Sequence, residues 1–379
     1  MKRIFLFAGE QSGDQHGANL IIALKKESDA ILEGCGGPAM RNAGLHSLFA
    51  MEDFEVMGFQ DTLLSLPKLW KQFRLVQNAI LTGNYDAVVF IDYPGFNLRM
   101  CSSIRKRGYP GKTIQYVSPG VWAWGKSRIA TMEKYLSHLM TIYPFESKYF
   151  EGTSLPVTYV GNPCATTIRN YSYQNHWKQD TRIGSEQEIL SIFPGSRKKE
   201  VQKNLAKHLL AAAKLQKERT DIHVAISSAR DELVPYIQSA IDTTKVSATI
   251  VSGKYRFEMM RDAKIAIAAS GTVTLELALH QTPTVVTYEV SSFNRFFIKY
   301  WIRPTVNHYC IVNILGKKEI FPEYIEKKYT PDQLAKTLME LDSDPILREN
   351  VSANCSKIQE LLGNQNSHEI AAKTILYRT

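Results

Sequence analysis

The chain has 379 residues, enough for about two or three domains of ordinary size. Its 44% hydrophobic and 22% charged content is that of a folding sequence and not of a disordered one. Five cysteines at wide spacings, with no CxxC pair, argue against a disulfide framework and a structural zinc site, and a formal net charge of +9 reads either as ordinary solubility or as the mark of an anionic partner: nucleic acid, nucleotide phosphate or an acidic membrane surface.

Residues 3–8 (RIFLFA) are a short apolar run and read as a first buried strand; the run is too short for a secretory signal core. Residues 13–27 then carry Leu20, Ile21 and Leu24 at helical spacing. Strands are expected at 86–92, 112–118 and 137–143, with helices at 68–82 and 96–108. Residues 162–187 are polar and lack sustained periodicity, which reads as an interdomain connection. Alternation resumes with strand 188–193, helix 198–218, strands 221–227, 247–251 and 264–269, helix 272–280 and strand 283–288. Helices near 331–341, 345–362 and 367–377 close the chain.

Continuous apolar strands separated by helices mean parallel sheets buried on both faces. The fold class expected is therefore α/β, with two Rossmann-like doubly wound parallel-sheet domains facing a cleft. Their bounds are expected at 1–170 and 171–344. The helices of 345–379 are expected to pack back on the first domain or on a partner chain, the latter making a homodimer. No stretch approaches the ~20 apolar residues of a membrane span, so a cytoplasmic protein is expected, or one bound to a membrane from the cytoplasmic side.

Ligands of doubly wound sheets bind beyond the carboxyl ends of the strands, so the residues just after each strand matter most. The first strand runs into Gly9-Glu10-Gln11-Ser12-Gly13-Asp14. This is not GxGxxG, which excludes a dinucleotide fingerprint at that turn and argues against hydride transfer. The turn either offers N–H groups to an anion or is a tight turn with Ser12 or Asp14 as a helix cap. Gly111-Lys112-Thr113 imitates the end of a P-loop, but Lys106 stands where the first glycine belongs and a strand follows, so an ATPase is excluded.

Asp92 ends the apolar run VVFID. A carboxylate there points into the cleft and can act as a general base; the competing role is a cap for the helix that starts near Phe96. Phe193-Pro194-Gly195-Ser196-Arg197 follows the first strand of the second domain and opens a helix, and Ser270-Gly271-Thr272 opens another. Two such helix N-termini suit a nucleotide diphosphate. Arg197 adds a forked donor for phosphate, and Glu276 can accept from sugar hydroxyls. Asp342-Ser343-Asp344 spells the DxD of metal-dependent sugar transferases, yet Asp344 before Pro345 reads as a helix N-cap, so no metal ligand is assigned. Zinc-finger spacing and RNA-binding signatures are absent, and no nucleic-acid partner is expected.

Several segments occur in order: AGEQSGD (8–14), EVMGFQD (55–61), IDYPGFN (91–97), YVSPGVWAWGKSRI (116–129), PFE (144–146), YVGNP (159–163), FPGSRKKEV (193–201), ASGTVTLE (269–276) and VNILGKKEIFPE (312–323). Together they resemble the lipid-A-disaccharide synthases over roughly residues 3–325. The resemblance implies a glycosyltransferase B fold and inverting, metal-independent transfer of 2,3-diacylglucosamine from UDP to 2,3-diacylglucosamine 1-phosphate. The product would be the β-1′,6-linked tetraacyl disaccharide 1-phosphate, and no cofactor is implied. Carried over by motif, Asp92, Arg197 and Asn313 are the catalytic residues. Substrate-binding residues are expected at Glu10, Ser12, Gly13, Asp14, Gly195, Ser196, Ser270, Gly271, Thr272 and Glu276. Three positions depart from the family pattern: Gly120 where serine is common, Asn162 where histidine is, and Phe193 for leucine.

Acylated substrates imply a bilayer partner. Residues 62–77 and 291–303 mix aromatic and basic residues on short amphipathic stretches, so Leu69, Trp70, Phe73, Phe296, Phe297 and Trp301 are expected to form a surface for anionic membrane and acyl chains. The competing reading is an aromatic stripe in a core. Other functions remain compatible with these motifs: a UDP-sugar epimerase or another glycosyltransferase of the same fold, and a non-catalytic nucleotide-sugar-binding protein. UDP release that requires an acylated acceptor separates the transferase from them.

Overall fold

The computed structural model describes residues 1–54, 59–123, 125–288, 308–325 and 329–379, the side chains of 59–68 excepted. It divides into two units, Met1–Thr166 joined by Leu362–Thr379, and Thr167–Leu361.

In the first unit seven strands are formed: β1 (Arg3–Ala8), β2 (Ile31–Gly36), β3 (His46–Ala50), β4 (Ala87–Ile91), β5 (Lys112–Tyr116), β6 (His138–Thr141) and β7 (Val157–Tyr159). They pair in parallel in the order β3-β2-β1-β4-β5-β6-β7. All five residues of β4 (AVVFI) are buried, as a strand covered on both faces requires. Alternate residues of β1 serve opposite layers. Ile4 and Leu6 pack with Leu20, Ile21 and Leu24 of helix Gln11–Glu27, and with Ala371, Ala372 and Ile375 of helix Ser367–Arg378. Phe5 and Phe7 pack with Val76 and Ile80 of helix Phe59–Thr82, and with Met100 and Ile104 of helix Pro94–Lys106. Each such apolar side chain contributes about 1.5–3 kcal/mol by leaving water.

The C-terminal helix Ser367–Arg378 thus completes the first unit. The Tyr159 hydroxyl donates to the Leu362 carbonyl at 2.7 Å, Thr166 Oγ1 bonds Ser367 Oγ at 3.1 Å, and Lys373 faces Glu27 at 3.5 Å. Helix Pro345–Leu362, by contrast, is grouped with the second unit through Leu361.

The second unit contains β8 (Glu188–Phe193), β9 (Ile222–Ser228), β10 (Ala248–Ser252), β11 (Ile265–Ala269), β12 (Thr284–Tyr288) and β13 (Glu323–Ile325). These are also parallel, in the order β10-β9-β8-β11-β12-β13. The polar segment 162–187 is partly ordered into helices Pro163–Arg169 and Trp177–Asp180. Trp177 is buried, its indole donating to Asp262 at 2.7 Å.

Both sheets reverse direction of growth beside their first strand, between β1 and β4 and between β8 and β11. These are the switch points at whose carboxyl ends doubly wound folds bind ligands. The turn 9–14 follows β1, Asp92 follows β4, Pro194–Arg197 follow β8 and Ser270–Thr272 follow β11.

Candidate active site

Asp92 does not cap the helix it precedes. Tyr93 is the N-cap of Pro94–Lys106, and the cap is made without a side-chain hydrogen bond. Instead the half-buried Asp92 carboxylate accepts from the Ser12 hydroxyl at 2.6 Å, a bond across the β1/β4 switch point. The backbone that presents it is strained. Asp92 and Tyr93 have φ of 51° and 40°, and Val117, in the loop after β5, has φ of 70°. Each non-glycine residue held there costs of order 1–3 kcal/mol, and a β-branched valine is the least tolerant. The Asp92 N–H donates to the Tyr116 carbonyl at 2.9 Å, and its carbonyl accepts from the Gln115 and Asn97 amides.

The other residues expected in this turn divide by role. Gly13 is buried beneath the Ile91 carbonyl, where a Cβ would stand 3.2 Å from that oxygen. Asp14 is buried and accepts from the backbone N–H groups of Gly37 (2.8 Å), Ala39 (2.9 Å) and Met40 (3.0 Å). Its carboxylate serves the start of helix Pro38–Asn42, not an open face. Glu10 is the N-cap of helix Gln11–Glu27, and its charge adds to burial in raising the Tyr93 phenol pKa. His16 escaped the sequence reading. It lies one turn after Ser12 with its ring 6.2 Å from that of Tyr116; burial lowers its pKa and the Asp92 charge opposes this. The i, i+4 spacing from Ser12 was the available signal.

In the segment after β5, the Trp122 indole donates to Glu146 Oε1 at 3.3 Å, while Oε2 accepts from the N–H groups of Ile142 (3.1 Å) and Tyr143 (3.0 Å). Glu146 is 1% exposed, and burial outweighs these donors, pushing its pKa up to about 7. The native protein therefore holds a proton there that the unfolded chain, at about 4.5, has released. Relative to Glu146→Gln, wild-type stability is expected to be greatest below pH about 4.5 and to fall as pH rises to about 7. Denaturant titrations of both proteins across this window check it; a pH-independent difference would refute the buried acid. Asn162 caps helix Pro163–Arg169, accepting from Cys164 N–H at 3.0 Å and Ala165 N–H at 3.2 Å. At Gly120 the described atoms nearest a Cβ belong to the Trp122 ring, at 3.7 Å, which is ordinary van der Waals contact.

In the second unit, Gly195 has φ of 122°, and a Cβ would lie 2.6 Å from Glu200. Only glycine lets the loop close over that carboxylate. Glu200 Oε2 accepts from the Ser196 (3.1 Å) and Arg197 (3.3 Å) N–H groups, and Oε1 from the exposed Arg197 guanidinium at 3.0 Å. The N–H groups expected to meet phosphate thus hold an internal anion, which a diphosphate must share or displace. Arg230, after β9, donates to the Ser196 carbonyl at 2.9 Å and was missed in the sequence, although it too follows a strand. Gly271 caps helix Thr272–Leu279, and a Cβ there meets nothing within 4 Å among the described residues. Ser270 is tied to β12 through its N–H to Thr287 at 2.8 Å. Glu276 sits 3.7 Å from Arg256, and burial raises its carboxyl pKa against that charge.

Asn313 is fully buried and its amide is fully used. Nδ2 donates to the Phe321 carbonyl and to Glu323 Oε1, both at 2.7 Å, and Oδ1 accepts from Ile320 N–H (2.7 Å) and Phe321 N–H (2.9 Å). Asp342 is paired with Arg219 and with Lys264, and Asp344 accepts from Leu347 N–H at 3.0 Å as a helix cap.

Of the expected membrane surface, Leu69 is half-buried and Trp70 is 65% exposed under the Arg74 guanidinium, 5.2 Å from its ring. Phe73 packs edge-on against Phe96 at 5.3 Å and joins the core. Phe296, Phe297 and Trp301 lie outside the described residues. Among the described residues no helix is long and apolar enough to cross a membrane.

Residues 4–375 match the family model described as lipid-A-disaccharide synthetase. The chain belongs to that family. A lipid-A-disaccharide synthase of Chlamydia trachomatis serovar D is 34% identical over 99% of this chain, and this chain spans 62% of that relative's length. One from Rhodospirillum centenum is 33% identical, over 95% of this chain and 90% of the relative. Among solved structures, UDP-GlcNAc 2-epimerase from Neisseria meningitidis bound to UDP-GlcNAc superposes with a TM-score of 0.66 at 11% identity, covering 100% of this chain and 99% of that one. The calicheamicin glycosyltransferase gives 0.62 at 13% identity, over 100% and 98%. At these identities the likeness is one of fold: two Rossmann-like parallel-sheet domains of the glycosyltransferase B type. Four of the family motifs, AGEQSGD, IDYPGFN, FPGSRKKEV and ASGTVTLE, sit at the ends of the switch-point strands β1, β4, β8 and β11.

Proposed function

We propose that the chain is an inverting hexosyltransferase that moves 2,3-diacylglucosamine from UDP to 2,3-diacylglucosamine 1-phosphate, making the tetraacyl disaccharide 1-phosphate and UDP. The observation that carries this reading, in a chain of this family, is the Asp92 carboxylate: it stands at a switch point, bonded by Ser12 and not spent as a helix cap. There it takes the proton from the acceptor's 6-hydroxyl as that oxygen attacks the anomeric carbon. The bond to the UDP oxygen breaks in the same displacement, so an α-linked donor gives a β product. Arg197 and the N–H groups of Ser196 and Arg197 receive the diphosphate, with Glu200 giving way. Their positive field offsets the charge that develops on the leaving group. Helix Thr272–Leu279 offers a second N-terminus to the same anion, and Glu276 accepts from the ribose. Asn313 acts at one remove by holding residues 320–323.

The test is direct. Purified protein incubated with both acylated substrates should yield a product of the disaccharide's mass together with UDP. Turnover of UDP-diacylglucosamine without acceptor would favour an epimerase, and UDP binding without turnover a nucleotide-sugar-binding protein.

Acylated substrates place this chemistry at the cytoplasmic face of a membrane. The exposed Trp70 with Lys71 and Arg74 supports docking through helix Phe59–Thr82. Each base beside an anionic surface is worth about 1 kcal/mol, so changing Lys71 and Arg74 to Glu should weaken flotation with anionic vesicles by about 30-fold or more. Equal flotation of variant and wild type, insensitive to salt, would rule this docking out.

A further inference from the structure

Gln115 is the fully buried penultimate residue of β5, and its side chain has an unusual set of partners. Its one amide nitrogen donates to three backbone carbonyls: Asp92 at 2.9 Å, Val117 at 3.1 Å and Tyr116 at 3.3 Å. Turning the amide over would set its oxygen against all three, so the network fixes its orientation. The amide oxygen has no partner among the described residues. Every hydrogen bond its side chain makes to described residues is therefore a donated one.

Those carbonyls belong to the strained backbone. Asp92 and Val117 are both left-handed, on adjacent loops after adjacent strands, and Tyr93 beside Asp92 is left-handed as well. The Asp92 N–H bond to the Tyr116 carbonyl ties the first loop to the end of β5, but it does not reach the Val117 carbonyl; without the Gln115 donor each loop gains by relaxing to negative φ. Relaxation at Asp92 would swing its Cβ and move the carboxylate away from Ser12. Asn97, from the following helix, donates to the same Asp92 carbonyl but reaches neither Tyr116 nor Val117.

We infer that Gln115 is a positioning residue for the transfer step: its amide clamps the loops after β4 and β5 and so holds the Asp92 carboxylate where it can take the acceptor's proton. This inference rests on the reading of Asp92 as the base. It assigns Gln115 no contact with either substrate.

The test is a double-mutant cycle. Gln115→Met keeps the length and removes the donor. It should lower kcat by about 10- to 100-fold, the scale of a misplacement near 1 Å, with acceptor KM and UDP affinity within about threefold. In the Asp92→Asn background, where no base is left to position, the same change should cost less than about threefold. Adding Val117→Gly, which relieves the left-handed residue, should restore part of the kcat lost in Gln115→Met. If Gln115→Met does not fold, Gln115→Asn, which keeps a donor on a shorter arm, takes its place with a smaller kcat loss and the same dependence on Asp92. Near-normal kcat in the Gln115 variants, or equal losses in both backgrounds, overturns the clamp alone. Near-normal turnover in Asp92→Asn itself overturns both the base and the clamp.

Discussion

Asp92→Asn is expected to lower kcat by about 10²–10⁴-fold, the usual share of a general base, while UDP binding persists. The substitution suits the question because an amide is isosteric with the carboxylate and still accepts from Ser12 through its oxygen. The left-handed backbone at Asp92 also tolerates asparagine well. Geometry is therefore kept and only the proton acceptor is lost. UDP affinity, read by calorimetry, should be unchanged, because the loops proposed to receive the diphosphate lie on the second unit. A variant that retains near-normal turnover would move the base elsewhere. His16, held one turn beyond Ser12, would then be the next residue to replace.

Asn313→Ala is expected to destabilise the protein by about 3–9 kcal/mol, since truncation leaves two buried N–H groups and a buried carbonyl without partners at about 1–3 kcal/mol each. Glu323 loses a donor as well, keeping those from Tyr309 and Cys310 at 3.0 Å each. A loss of that size approaches the whole stability of many domains. Asn313→Asp should be little better: it keeps the acceptor for Ile320 and Phe321 but turns a second carboxylate oxygen toward the Phe321 carbonyl and Glu323. Denaturant midpoints measure the loss, and hydrogen exchange should show it first in 309–325. If Asn313→Ala kept its stability and lost only activity, the side chain would be acting on substrate directly.

The sequence showed most where apolar pattern and strand-end position coincide. β4 and β11 are unbroken apolar runs, so the residues that follow them, Asp92 and Ser270–Thr272, could be named in advance. Helix Lys198–Glu218 was legible to the residue because Pro-Gly-Ser marks its start. β2 was not legible: ILEGCG is interrupted by Glu33 and two glycines. The structure accounts for both kinds of interruption. Glu33 pairs with Arg3 at 2.7 Å, and at Gly34, with φ of 146°, a Cβ would stand 2.0 Å from the Leu6 carbonyl. β13, three residues long, becomes a strand only because β12 lies beside it.

Within the site the division is between where a residue stands and what its side chain does there. Strand ends and helix starts are local patterns, and they were enough to bring Ser12, Asp14, Asp92, Ser196, Arg197 and Glu276 to the switch points of two doubly wound sheets. Their roles depend on partners far away in the chain. Ser12 meets Asp92 across 80 positions, Asp14 is consumed by Gly37, Ala39 and Met40, and Asn313 is consumed by 320–323. A hydrogen bond needs its two atoms within about 3 Å. Spacing along a chain does not encode that distance until the sheet has brought the loops together, so the open carboxylate at Asp92 and the occupied one at Asp14 look alike in sequence and differ only in the fold.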